Sequence, residues 1–151
     1  AASDVYKRQV VLQYADLIDG LTIGAGTGEV TTTQDEESMW IKYVTGGITV
    51  GFQRSEVDFA AASSSDTEAD HYGISFAVND DLSLSYGQHN SERHGGMTKS
   101  SVELEATSLQ MAYSMGGASI KVAETSVDNG TYVSTTANDK DGTTIALSLA
   151  F

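Results

Sequence analysis

Cysteine is absent from the sequence, and so is proline. Without a thiol there are no disulfides, thiolate metal sites or cysteine nucleophiles, although this leaves the compartment open. Positive charge is scarce: eight Lys and Arg stand against 21 Asp and Glu, a formal net charge of -13. A chain so acidic repels phosphate backbones, which argues against nucleic acid as a partner, and it does not suit a basic membrane-surface element. No stretch approaches the roughly 20 consecutive apolar residues of a transmembrane helix. That excludes a helical membrane protein and is neutral toward strands, which give only weak hydropathy signals. No GxSxG, P-loop, dinucleotide fingerprint or paired zinc-ligand pattern occurs, so the expectation is no enzyme activity and no cofactor. Ala1 to Gln9 lacks the apolar h-region of a signal peptide, and its Lys7-Arg8 pair fits no later pattern. Residues 1–9 are therefore set aside as an N-terminal extension or artefact, and residues 10–151 carry the fold.

What the sequence does contain is period-two alternation. An acidic chain rich in Ser and Thr is first a candidate for disorder. The 40% apolar content, with seven Tyr, four Phe and one Trp, argues against that. Ile48, Val50 and Phe52 alternate with Thr49, Gly51 and Gln53. Tyr72, Ile74, Phe76 and Val78 alternate with small or polar neighbours, as do Leu82, Leu84 and Tyr86, then Leu109, Met111 and Tyr113, and finally Ile145, Leu147, Leu149 and Phe151. Successive strand side chains point to opposite faces, so each segment has one apolar and one small or polar face. Turn residues at Leu17–Gly20, Thr45–Gly47, Asn79–Asp81 and Met115–Gly117 alternate with polar connections near 28–37, 60–69, 92–101 and 129–141. The expectation is an all-β antiparallel meander of about nine strands, with short turns at one end and long connections at the other.

Alternation alone leaves two architectures open. In a secreted or cell-surface adhesin-like sandwich or solenoid, the Leu82/Leu84 and Ile145/Leu147 faces point into a closed protein core. In a barrel they form a continuous exposed band about 25 Å tall against lipid. The barrel is favoured because the second face is small (Ser83, Ser85, Gly87; Ala146, Ser148, Ala150) and the acids gather in connections and strand ends. Tyr43, Phe76 and Tyr113, each shortly before a turn, suit an interfacial aromatic girdle; ordinary cross-strand packing is the alternative. Nine strands are an odd number for a regular bacterial barrel, so the chain reads as a fragment of a larger one.

The segments ADLIDGLTIGAG (15–26), WIKYVTGGITVGFQRSE (40–56), HYGISFAVNDDLSLSYGQH (71–89), SLQMAYSMGGASIKVAE (108–124) and TTIALSLAF (143–151) together resemble the C-terminal half of an alphaproteobacterial general porin, over about residues 10–151. The resemblance implies a partial transmembrane β-barrel, one of sixteen strands when complete, in the outer membrane of a Gram-negative cell. It implies passive diffusion of small hydrophilic solutes and ions, a homotrimer, and contact with outer-membrane lipid and the barrel-insertion machinery. Phe151 matches the family's C-terminal assembly signal. The family's pore-narrowing loop comes early in its chain, so this segment would lack it.

On the polar phase, Lys42, Gln53, His71, His89, Gln110 and Lys121 are the candidate pore-lining residues. A charge facing lipid is costly, so Lys42 and Lys121 are expected to face the lumen, where they attract anions. The alternative is the solvent face of a soluble sheet. His71 and His89 are read as isolated wall residues, and no metal site is expected. The Asp66–Asp70 stretch lacks the loop length and glycine of a calcium site, and reads as solvated loop. Arg54, Glu105 and Glu124 fall in the apolar phase. There a charge must lie above the hydrocarbon or be turned inward by a bulge.

Overall fold

A computed structural model describes residues 8–15, 17–31, 34–60, 65–95 and 102–149. Phe151 and residues 1–7 lie outside the described residues. Nine strands form one sheet: β1 (Arg8–Ala15), β2 (Leu21–Thr31), β3 (Gln34–Thr45), β4 (Ile48–Phe59), β5 (Ser65–Ala77), β6 (Leu82–Gly95), β7 (Leu104–Met115), β8 (Ala118–Asp128) and β9 (Lys140–Leu149). Their spatial order is their sequence order, and every neighbouring pair is antiparallel. This is the meander that the alternation predicts, with β1 and β9 at the two edges.

The tight turns form for local reasons. Gly46 and Gly47 both have positive φ, +51° and +86°, the signature of a hairpin whose twist matches its strands. The Asn79 side chain does the same job chemically: its Oδ1 accepts from the backbone N–H of Asp81 (2.9 Å) and of Leu82 (2.8 Å). Gly20, at φ +79°, sits so close to the next hairpin that any side chain there would strike the Val44 carbonyl. Its own carbonyl accepts the Val44 N–H at 2.9 Å.

At the opposite end the strands run further than alternation suggests. Residues 28–31 and 34–37 are mostly ladder, β5 starts at Ser65 and β6 reaches Gly95. Apart from Val30 these extensions are small or polar on both faces, so the period-two hydrophobic signal vanishes while the backbone pairing continues. β1 likewise begins at Arg8, with Arg8 and Gln9 paired to Glu29 and Gly28, two residues before the alternation starts.

No described hydrophobic side chain is buried. Ile145 and Leu147 are 69% and 67% exposed, and Leu84 is 41% exposed. That removes the closed core a sandwich requires: the whole apolar face is uncovered by protein.

Candidate functional site

The register divides the sheet into two chemically distinct faces. Counting from each short turn, one face carries Leu21, Ile23 and Ala25 on β2; Tyr43, Ile41 and Met39 on β3; Ile48, Val50 and Phe52 on β4. It continues with Phe76, Ile74 and Tyr72 on β5, Leu82, Leu84 and Tyr86 on β6, and equivalent residues through β9. On the same face, further from the turns, come Glu37, Arg54, Asp70, Gln88, Glu105 and Glu124. The apolar rows thus end within about two residues of one another, with Met39 and Leu109 still opposite Arg54 and Glu124, and polar or charged residues take over beyond them.

Arg54 and Glu124 occupy that second zone. The β3–β4 and β4–β5 registers are continuous around Arg54, so no bulge turns it inward. Its guanidinium instead grips Asp70 with two bonds, Nε to Oδ1 at 2.7 Å and Nη2 to Oδ2 at 2.6 Å, and lies 3.1 Å from Glu68. Glu124, six residues above the turn at Ala118, is at the level of Arg54, six above Ile48.

Aromatic rings mark both limits of the apolar zone. Tyr43, Phe76 and Tyr113 lie near the short turns, as the sequence indicates. The upper ring of Phe52, Tyr72 and Tyr86 escapes sequence reading. Its signal is the spacing of two residues that places Asp70 and Gln88 beside the two tyrosines: the Tyr86 hydroxyl donates to Gln88 Oε1 at 3.3 Å, and that of Tyr72 contacts Asp70 at 3.5 Å. Phe52 and Tyr72 pack with ring centroids 5.2 Å apart.

All six candidate residues share the other face. Trp40, Gln53, His71 and His89 stand side by side on β3 to β6. Trp40, Lys42, Gln53, His71, Ser75 and Gln110 line a concavity of about 480 Å³. The Trp40 indole lies over its register partner Gly24, where an added Cβ would overlap the ring. Gln110 donates to Ser108 Oγ at 3.1 Å. Lys121 is not part of this concavity. It lies on β8, five strands from Lys42, and each lysine is three residues from its short turn. The two are therefore equally far from the short turns, but the register places Thr125 rather than Lys121 across from Lys42, so they stand about 27 Å apart along the wall at the usual strand spacing and rise, nearer the short-turn rim than the middle of their strands.

The β8–β9 connection adds an element that composition does not reveal. It carries two short 3-10 turns, Gly130–Tyr132 and Thr136–Asn138, and Asn129, Thr131 and Tyr132 all adopt positive φ. Such backbone is costly without glycine, and tertiary contacts must hold it. The Tyr132 hydroxyl lies 2.7 Å from Ser91 Oγ, and the Arg93 guanidinium stacks 4.3 Å from its ring centroid. Ser91 and Arg93 are on the polar face, and Ser91 is 3% exposed. The connection thus folds onto the polar face near the long-connection end. Sequence reasoning treats it only as a polar linker, although Tyr132 is its one aromatic residue.

Among the described residues there is no group of three or more His, Cys, Asp or Glu able to hold a metal ion. The Asp66–Asp70 stretch is β5 strand rather than loop.

No family model matches the sequence, and no curated protein matches it. Among solved structures the chain is similar to a porin refined at 1.8 Å resolution, with a TM-score of 0.74 and 14% sequence identity. The match covers 92% of this chain and 50% of that porin, so the chain spans about half of its length and shares its fold.

Proposed function

We propose that the chain forms part of the wall of an outer-membrane porin, through which small hydrophilic solutes and ions diffuse passively. One observation carries the reading: a sheet with a wholly uncovered apolar face, limited above and below by aromatic rings, backed by a face of small and polar residues. Lipid is the solvent that suits the first face, and water the second. Further strands pair with β1 and β9 in this reading, since an unpaired edge within hydrocarbon costs several kcal/mol per backbone group. The porin-like fold supports the same assignment. Here the chain is a passive conduit rather than an enzyme, its assembly is a homotrimer inserted by the barrel-insertion machinery, and Lys42, Gln53, His71, His89, Gln110 and Lys121 face the channel.

The apolar zone is thinner than a generic barrel band. From Leu82 to Gln88 is six residues, about 20 Å of strand, which a tilt near 40° reduces to about 15 Å of height against a usual band of about 25 Å. The girdle rings lie within this span, at its two limits.

The test is planar-bilayer recording from the complete barrel purified in detergent. Stepwise conductance that rises in proportion to bulk salt conductivity supports a water-filled pore. Insertion without conductance refutes it.

A further inference from the structure

His71 and His89 are 18 residues apart in sequence, yet the β5–β6 register sets them directly opposite one another on the polar face. Their Nδ1 atoms are 3.2 Å apart, with ring centroids 4.3 Å apart and planes inclined at 39°. We propose that the pair is a two-imidazole chelate for a divalent transition-metal ion of the Zn²⁺ class. The Nδ1 separation of this hydrogen-bonded pair also suits a shared ion. With Zn–N bonds of about 2.0–2.1 Å, two cis imidazole nitrogens lie about 2.9 Å apart at a right angle and about 3.3 Å apart at the tetrahedral angle. The observed Nδ1 separation falls within that interval before any ligand moves. Directing both lone pairs at one ion opens the ring centroids to about 5 Å, a small rotation of side chains that project into open space.

The surroundings leave room for it. On the same face the next register pair is Gly73–Gly87, and a Cβ built on Gly73 would meet nothing within 4 Å. His71, Gly73 and Gly87 line the same concavity. Imidazole suits Zn²⁺, Cu²⁺ and Ni²⁺, whereas Mg²⁺ and Ca²⁺ demand oxygen ligands, so the site discriminates by donor type. In the metal-free pair one Nδ1 donates its proton to the other. On binding, that ring shifts its proton to Nε2, both Nδ1 lone pairs face the ion, and no net proton is released. Waters fill the remaining positions, so the site is open and exchangeable rather than structural.

The test is isothermal titration calorimetry of ZnCl₂ into the complete detergent-purified barrel, with thermal unfolding followed at the same Zn²⁺ concentrations. One ion should bind per chain, and Zn²⁺ should raise the unfolding temperature, because an ion that bridges β5 and β6 binds only the folded state. His71→Gln and His89→Asn, both still polar, should each weaken binding by about tenfold or more and abolish the thermal shift, while the metal-free unfolding temperature stays close to that of the parent. Absence of binding at millimolar Zn²⁺, or affinity unchanged in both variants, overturns the proposal. Calorimetry reads the ion without any current, so a failed chelate and a failed pore give different results.

Discussion

Replacing Ile74 with lysine is a direct energetic probe of the apolar face. Ile74 is the middle outward residue of β5, between Tyr72 and Phe76, in register with Val50 and Tyr86, and 47% exposed with no protein covering it. If lipid bathes that face, a cation there costs about 2–4 kcal/mol, the penalty for Lys or Arg near the middle of the hydrocarbon on a barrel exterior. Its neighbour Ser75 points to the other face, in register with Thr49 and Ser85, and Ser75→Lys should cost within about 0.5 kcal/mol, as for a water-exposed site. A charge alone does not separate lipid from a protein core, since both reject it. Ile74→Phe does. A packed core resists the extra volume by about 1–3 kcal/mol, whereas fluid acyl chains yield, so the variant should be neutral or stabilising. The assay is urea-dependent folding of the complete barrel into phosphatidylcholine vesicles, comparing midpoints at constant slope. A harmless Ile74→Lys, or an Ile74→Phe as destabilising as overpacking, would refute the argument.

Neutralising Lys42 and Lys121 together should move selectivity toward cations, most clearly at low salt. The two lie about 27 Å apart on the wall, more than three Debye lengths of about 8 Å at physiological salt, so their single effects should add; an unchanged reversal potential under a salt gradient would contradict this. Tyr132→Ala removes the hydroxyl beside Ser91 and the ring beneath Arg93, so the β8–β9 connection should detach from the wall and single-channel conductance should change; an identical conductance would mean that the connection lies clear of the path. The short apolar zone predicts tighter folding in bilayers of twelve-carbon chains than of eighteen-carbon chains, because mismatch costs fractions of a kcal/mol per Å; the reverse order of urea midpoints would contradict it.

Strand existence, order and face were legible because alternation over Tyr72 to Val78 or Leu82 to Tyr86 leaves a sheet with one apolar side as the only economical reading. Strand ends were not. Beyond Asp70 and Gln88 both faces are polar, and a paired strand in water looks like a loop in composition. Glu124 was puzzling by phase alone and becomes ordinary once its distance from the Met115–Gly117 turn is counted. The six wall residues share a face by parity, but which of them meet depends on register. No local signal brings His89 against His71 or separates Lys121 from Lys42. Tyr132 was missed for the same reason, since its partners Ser91 and Arg93 are about forty residues earlier in the chain.

The central claim is that the small, polar face meets water while the apolar face does not. The chain has no cysteine of its own, so single cysteines along β6 can be read without background from this segment. In the complete barrel embedded in lipid vesicles, a charged, membrane-impermeant thiol reagent should modify cysteine at 83 and 85 rapidly. Cysteine at 84 and 86 should react slowly and lie within reach of a lipid-borne quencher. Uniform labelling, or faster labelling at 84 and 86 than at 83 and 85, would contradict the assignment of the two faces.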